Sequence, residues 1–369
     1  MKKNKKKNVY FITGGKTGGH IYPALSVALK LSEDENNNKV FYVGNKKNME
    51  YELVKKYPQL QFLSIDFDGM PRKISLKLFL WGFKLIFSTL KSIFYILKYN
   101  PNALLGTGGF ITFPTLFAGY VLNKPIMIHD CDTVPGLVSR VVSRFAKKAS
   151  LNFEEAKKFL KCKNIKINGN PIRNEFFIEN NIKKDFNTDC LNILVMGGSQ
   201  GAMKINEVSV NVFQKLLNQG YNLKIVVQTG VKNYEKTLEL LENKTNPNLI
   251  LKPYLNEIWN ELKNAHLVIA RSGSLSLSEI CATSTPSILI PYPFAAANHQ
   301  EKNARELEKE NCSICLCERD LTCDVLEKTI VDLINNRQKL VEMSQNTKIF
   351  SKPNALNDIV CEFIGLSKN

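Results

Sequence analysis

Three glycine loops are where this sequence is best equipped to do chemistry. Gly14-Gly15-Lys16-Thr17-Gly18-Gly19-His20 and Gly197-Gly198-Ser199-Gln200-Gly201-Ala202 each follow an apolar run and precede a helical stretch, and Gly106-Thr107-Gly108-Gly109-Phe110 repeats the Thr-Gly-Gly of the first. Glycine after a strand lets the backbone turn sharply and brings N–H groups up to an anion, while the following helix adds positive charge at its N-terminus. Such loops suit the gripping of phosphates. Gly15-Lys16-Thr17 ends like a P-loop, but the first glycine of that motif would stand at position 10, which is Tyr10, and neither opening loop has the G-x-G-x-x-G spacing of a dinucleotide fold. An ATPase and a dehydrogenase are therefore disfavoured. His20 closes the first loop and is a candidate general base, with a purely loop-orienting role as its rival. Of the other histidines, His129 sits at a strand end, His266 in a helix–strand connection, and His299 beside Gln300. Cys312, Cys315, Cys317 and Cys323 invite a zinc reading, but no CxxC pair faces a second one, and Cys315 and Cys317 alternate in an apolar run as in a strand.

Parallel α/β elements are expected to position these loops. Apolar runs at 9–13, 39–43, 103–105 and 125–129 in the first half, and at 192–196, 224–228, 249–251, 267–270 and 287–291 in the second, alternate with helical stretches such as 23 to about 32. With 369 residues, this predicts two Rossmann-like domains, 1–168 and 169–351, with a last helix at about 352–369 packing back on the first. The turn-rich stretch Lys166–Arg173 reads as the linker.

Charge separates the halves. Residues 1–168 carry 28 Lys and Arg against 11 Asp and Glu, whereas residues 169–369 carry 22 against 23. The first half alone should meet a polyanion, either nucleic acid or anionic lipid. Lys greatly outnumbers Arg there, and no Arg-rich helix or aromatic sheet face is visible, so lipid is favoured and nucleic acid is not expected as a partner. The N-terminus is basic, but the apolar run after it is too short for a signal peptide, and the nine cysteines read as free thiols in a reducing cytosol. Residues 72–98 contain no uncharged apolar run long enough to span a bilayer; they read either as a buried helix pair or as a membrane-surface patch. Leu78, Phe79, Trp81, Phe83 and Phe87, interleaved with Lys73, Lys77, Lys84 and Lys91, favour the patch.

Taken in series, the motifs resemble the MurG family of glycosyltransferases. The resemblance rests on GGHIYPAL (18–25), GTGGFITFP (106–114), IHDCDTVPG (128–136), GNPIR (169–173), GGSQGA (197–202), QTG (228–230), RSGSLSLSE (271–279) and NHQEKNA (298–304), in that family's order. It implies the GT-B architecture, two Rossmann-like domains facing across a cleft. It also implies an inverting transfer of GlcNAc from UDP-GlcNAc to the 4-hydroxyl of undecaprenyl-diphospho-MurNAc-pentapeptide, at the cytoplasmic face of the cell membrane, without metal or cofactor. On that resemblance, Ser199, Ser276 and Arg173 meet the donor's phosphates, Glu279 accepts the ribose hydroxyls, and Gln300 reads the sugar. Leu255, Ser274, Leu275, Leu277 and Ser278 hold uracil and phosphate, and Thr17, Gly18, Gly19 and Asp132 complete the donor site. Gly18, Gly19, Gly106, Thr107, Gly108 and Gly109 would hold the acceptor's diphosphate, with His20 as base.

Three positions depart from the family. Lys16 stands where glycine is usual, so a positive φ there is disfavoured and the side chain could add charge beside the acceptor diphosphate. Asp130-Cys131-Asp132 replaces Glu-Gln-Asn or Glu-Ser-Asp, which removes an amide donor at Asp132. Ser274 and Ser276 replace Ala and Thr, keeping the hydroxyl at 276. The rival readings are a glycolipid synthase acting on diacylglycerol, a UDP-GlcNAc 2-epimerase of the same fold, and a basic nucleic-acid-binding protein.

Overall fold

The computed structural model describes residues 7–71, 76–177, 184–198, 201–241 and 246–368; Lys73, Ser199 and Gln200, singled out above, lie outside them. The chain divides into two compact units, Met1–Ile172 with Asn354–Asn369, and Arg173–Pro353.

Among the described residues the first unit has seven strands: β1 (Asn8–Thr13), β2 (Asn38–Gly44), β3 (Gln61–Ser64), β4 (Ala103–Gly106), β5 (Ile126–Asp130), β6 (Lys148–Leu151) and β7 (Ile165–Ile167). They form one sheet in the order β3-β2-β1-β4-β5-β6-β7, every pair parallel. Lys166 and Ile167 therefore belong to a strand, which corrects the linker expected to start at 166. The helices are α1 (Gly18–Ser32), α2 (Met49–Val54), α3 (Leu76–Tyr99), α4 (Thr112–Val121) and α5 (Leu137–Val142). Strand residues alternate between two cores. Phe11, Phe41, Val43, Leu104 and Ile128 face one way with Ile96 of α3 and Leu116 of α4. Tyr10, Ile12, Val40 and Tyr42 face the other, under α1 and the C-terminal helix, whose Phe363 ring lies 5.3 Å from that of Tyr10.

α1 begins at Gly18, not at Pro23, and Pro23 lies inside it. Proline has no N–H, so the carbonyl four residues back, that of Gly19, loses its helical partner. The Cys131 thiol donates to that carbonyl at 3.3 Å. A departure from the family's usual residue thus satisfies a backbone group in the first turn of α1.

The second unit repeats the plan with β8 (Leu191–Met196), β9 (Leu223–Gln228), β10 (Leu249–Lys252), β11 (Leu267–Ala270), β12 (Ser287–Leu289) and β13 (Ser313–Cys315), ordered β10-β9-β8-β11-β12-β13 and all parallel. Its helices are α6 (Met203–Asn218), α7 (Tyr234–Glu239), α8 (Ile258–Asn264), α9 (Ser274–Ala282), α10 (His299–Lys309), α11 (Cys323–Asn335) and α12 (Arg337–Asn346); α13 (Ala355–Gly365) returns to the first unit. All nine cysteines are free, and Cys315 and Cys317 are buried.

Lys184 is a partly buried pin in this unit. Its ammonium donates to Leu262 O at 2.7 Å, to Ala265 O and to Thr285 Oγ1 at 2.8 Å, closing the C-terminal end of α8. Burial nevertheless pulls its pKa down to about 7. Unfolded lysine titrates near 10.4, so between about pH 7 and 10 the unfolded chain binds more protons and stability rises with pH. Lys184→Met removes the donor at Ala265 O, while Leu262 O and Thr285 Oγ1 keep their bond to each other, and it should lower stability at pH 7 by roughly 1–3 kcal/mol. Urea unfolding across pH 7–10 should also show that the variant has lost the alkaline gain of the wild type.

Candidate active site

In each unit the strand order reverses at one point, between β1 and β4 in the first and between β8 and β11 in the second. Open parallel sheets bind ligands at the carboxyl ends of strands flanking such a reversal. The glycine loops lie there. In the first unit Thr13 pairs with Gly106, so the loops after β1 and β4 leave side by side. In the second, Ala270 pairs with Met196, which sets Gly197 and Gly198 beside the segment entering α9.

The two loops of the first unit are locked together around His20. Thr107 Oγ1 donates to His20 O at 2.6 Å, and Tyr42 Oη donates to Gly14 O at 2.6 Å. His20 Nδ1 lies 3.2 Å from both Gly15 O and Thr17 Oγ1. A carbonyl can only accept, so the Gly15 contact puts the ring proton on Nδ1 and leaves Nε2 as the free base. Nε2 borders Gly108, whose φ is +106°; a Cβ there would lie 2.6 Å from His20 Cδ2 and 2.9 Å from Nε2. Thr17 is the N-cap of α1 but forms no side-chain cap, so the first-turn N–H groups of Gly18 and Gly19 stay open to a ligand. Lys16 does adopt the left-handed backbone, φ +78°, that its side chain disfavours.

The 130–136 turn sits beneath. Asp130 is buried, and its two oxygens accept N–H bonds from Asp132 at 3.3 Å and Gly136 at 3.2 Å. Burial, reinforced by the nearby Asp132 charge, raises its pKa to about 6. Although Asp130 and Asp132 have Asp-x-Asp spacing, the first carboxylate is spent on shaping the turn, and only the partly exposed Asp132 faces outward. His129, at the end of β5, is fully buried. It contacts Ser150 Oγ at 3.1 Å and Cys131 Sγ at 3.6 Å, and burial lowers its pKa to about 4, so it is a neutral core group.

In the second unit, Ser274, Leu275, Ser276, Leu277, Ser278 and Glu279 form the first turns of α9, whose N-cap Gly273 supplies no side chain to the open N–H groups. α6, after the 197–202 loop, likewise starts without a side-chain cap. Gly201 (φ +73°) passes so near Thr229 that a Cβ would meet its carbonyl at 2.0 Å. Glu279 keeps some exposed surface but is enclosed enough that burial raises its pKa to about 7, with Arg173 pulling it back down. The Arg173 guanidinium stacks on Trp259 at 4.6 Å. Trp259 is a platform that no sequence motif marked. Gln300 Oε1 accepts from Tyr292 N at 3.0 Å, which fixes the amide and leaves its NH2 to donate. Ser272 Oγ ties Gln300 O at 2.8 Å to the β11–α9 turn. Leu255 is a buried residue of the β10–α8 loop. Thr17, Gly18, Gly19 and Asp132, expected at the donor, belong to the first unit.

Residues 76–99 form one helix rather than a buried pair. Its protein-facing side combines hydrogen bonds with apolar packing: Ser88 Oγ donates to Asp66 O at 3.1 Å, Tyr95 Oη to Ser64 O at 3.1 Å, and Ser92 meets Thr115 at 3.3 Å, while Ile96 is buried in the core beside the partly buried Leu85, Ile93 and Tyr99. Its outer side carries Phe79, Phe83, Phe87, Leu90, Phe94 and Leu97, each more than half exposed. The helix is long and apolar enough to cross a membrane by length and composition, with mean hydropathy 1.4. However, one face is anchored to the protein by hydrogen bonds and core packing, and exposed Lys77, Lys84, Lys91 and Lys98 recur every seven residues along one side, which suits a helix lying on a surface. Trp81 leaves the patch. Its indole donates to Asp68 O at 3.1 Å and its ring packs on Phe67 and Phe110, while Leu78 is half-buried.

Known proteins line up with both units. Residues 9–151 match the glycosyltransferase family 28 N-terminal domain, and residues 192–359 match the family 28 C-terminal domain. A relative in Thermoanaerobacter sp. is 36% identical over 358 residues, covering 95% of this chain and 97% of its own. One in Bacillus pumilus is 34% identical over 349 residues, covering 93% and 95%. Both bear the name UDP-N-acetylglucosamine–N-acetylmuramyl-(pentapeptide) pyrophosphoryl-undecaprenol N-acetylglucosamine transferase. The crystal structure of Acinetobacter baumannii MurG superposes with a TM-score of 0.80 at 27% identity, covering 98% of this chain and 100% of that one. A UDP-GlcNAc 2-epimerase from Neisseria meningitidis shares the fold at 14% identity and a TM-score of 0.68, covering 97% and 100%.

Proposed function

Because the chain belongs to glycosyltransferase family 28, among its pyrophosphoryl-undecaprenol N-acetylglucosamine transferases, we propose that it transfers GlcNAc from UDP-GlcNAc to the 4-hydroxyl of undecaprenyl-diphospho-MurNAc-pentapeptide in peptidoglycan synthesis. The observation that carries the chemistry is His20, fixed by Gly15 O with Nε2 bare between two glycine loops. A displacement that inverts the sugar needs a base on the attacking hydroxyl and stabilisation of the departing diphosphate. His20 Nε2 takes the hydroxyl proton. The open N–H groups of α9, with Arg173 held on Trp259, meet the negative charge that grows on UDP. Glu279 accepts the ribose hydroxyls and the Gln300 amide reads the sugar. The N–H groups of Gly18, Gly19, Gly108 and Gly109 hold the acceptor's diphosphate.

The enzyme works peripherally on the anionic cytoplasmic surface of the membrane, where a lipid-linked acceptor resides; the exposed apolar face of α3 and its lysine row support that reading. Phe79, Phe83 and Phe87 together changed to Ser should weaken binding to anionic liposomes by about tenfold or more, with little loss of thermal stability, because each ring is more than half exposed and outside the core. Unchanged sedimentation with liposomes would remove α3 from the membrane contact. The reaction is tested by incubating the protein with UDP-GlcNAc and lipid-linked MurNAc-pentapeptide. A β-linked disaccharide product plus UDP is expected. Transfer to diacylglycerol alone, or epimerisation of the donor, contradicts the proposal.

A further inference from the structure

Beside the first glycine loop lies a cavity of about 240 Å³, with Phe67, Phe110, Ile111 and Met49 on its apolar walls and Lys16 and Asp68 at its polar rim. That is room for a ligand rather than one water, whose share of liquid volume is about 30 Å³. Its polar rim is asymmetric. Asp68 Oδ1 is engaged by the amides of Asn45 and Asn48 at 3.3 and 3.2 Å. The Lys16 ammonium lies over Gly69, 3.1 Å from where a Cβ on that glycine would sit, and forms no ion pair among the described residues. One wall continues to the membrane-facing side: Trp81 of α3 packs on both Phe67 and Phe110. Phe110 also ends the Gly106–Phe110 loop, so the cavity joins the two Thr-Gly-Gly loops at one end and the base of α3 at the other.

We propose that this cavity receives the phosphate-proximal isoprenyl units of the acceptor's carrier lipid, with the Lys16 ammonium at its mouth pairing with the carrier's diphosphate. The assignment rests on the transfer reaction proposed above and adds where its lipid runs. Three features fit one occupant: an apolar, aromatic-walled interior, a free cation at the rim, and continuity with the lipid-facing helix. Lys16 also holds a backbone conformation that glycine would adopt without strain, so the lysine is retained against a local cost, and an anion contact accounts for it.

The test uses the whole protein and two water-soluble acceptors, MurNAc-pentapeptide diphosphate esterified either with a methyl group or with a short prenyl chain. The wild type should show a KM at least about tenfold lower for the prenyl acceptor, since burying even a few methylenes is worth that factor after ordering losses. Met49→Trp, which narrows the cavity, should collapse that ratio towards one; a ratio within one variant cancels any loss of active protein. Lys16→Gly should raise KM for both acceptors about threefold or more, less so at high salt, and keep the ratio. Equal KM values in the wild type, or a ratio untouched by Met49→Trp, overturn the assignment while leaving the reaction intact. No transfer to either acceptor overturns the reaction itself, and the assignment with it.

Discussion

Gly108→Ala should nearly abolish transfer while the protein stays folded. The position has φ +106°, and the added methyl would lie 2.6 Å from His20 Cδ2 and 2.9 Å from Nε2. The imidazole must therefore swing off its bond to Gly15 O, losing both the tautomer and the place of the free nitrogen. A positioned general base contributes about 10²–10⁴-fold, and turnover should fall by that order. The backbone strain of a non-glycine residue there is roughly 1–2 kcal/mol, so thermal unfolding shifts modestly. Donor KM should hold, because every donor contact proposed in the second unit is untouched. His20→Ala should produce the same loss of turnover at saturating acceptor, and the double variant little further loss of turnover, since both remove the base; any rise in acceptor KM from disturbing the Gly108 N–H contact is separate. Additive losses in the double variant, or a Gly108→Ala enzyme with near-normal turnover, would show that His20 is not the base.

Glu279 should make donor binding pH-dependent near neutrality. Its carboxyl is held up at about 7 by burial, against the pull of Arg173. Ribose hydroxyls donate to the ionised form, so below pH 7 the donor must expel a proton to bind. Donor KM should then rise by about tenfold per pH unit as the pH falls, and level off above 7. Glu279→Ala should raise donor KM about 100-fold at pH 8, the scale of two hydrogen bonds to a charged acceptor. Glu279→Gln should keep the shape but lose the pH dependence between 6 and 8. A pH profile shared by wild type and Gln variant would assign the titration elsewhere.

Much of this was legible in the sequence, and the physical reasons differ by element. Parallel strands buried on both faces read as apolar runs, so β1, β4, β5, β8, β9 and β11 stood out with the loops that follow them. β3, β6 and β7 are short strands of three or four residues, two of them half-open to solvent, and left little pattern, whereas β13 was marked by the alternation of Cys315 and Cys317. The start of α1 is hidden because Pro23 reads as a helix boundary; it lies inside the helix, and the carbonyl it abandons accepts from Cys131, far along the chain. Likewise, sequence could nominate His20 but not its tautomer, which depends on a carbonyl five residues back through a loop turned by Lys16 at positive φ. Trp81 was assigned to the membrane patch on its bulk. Its indole N–H found the Asp68 carbonyl, and it became the wall between patch and loop.

We propose a division of labour: the second unit's loops grip the donor's diphosphate and the first unit's Thr-Gly-Gly loops grip the acceptor's. A crystal structure with UDP-GlcNAc bound tests this. Ribose oxygens should lie on Glu279 and the diphosphate against the N-terminus of α9 and the 197–202 loop, with residues 14–20 and 106–109 free of the diphosphate. A UDP diphosphate lodged on Gly18, Gly19 and Gly108 would contradict it.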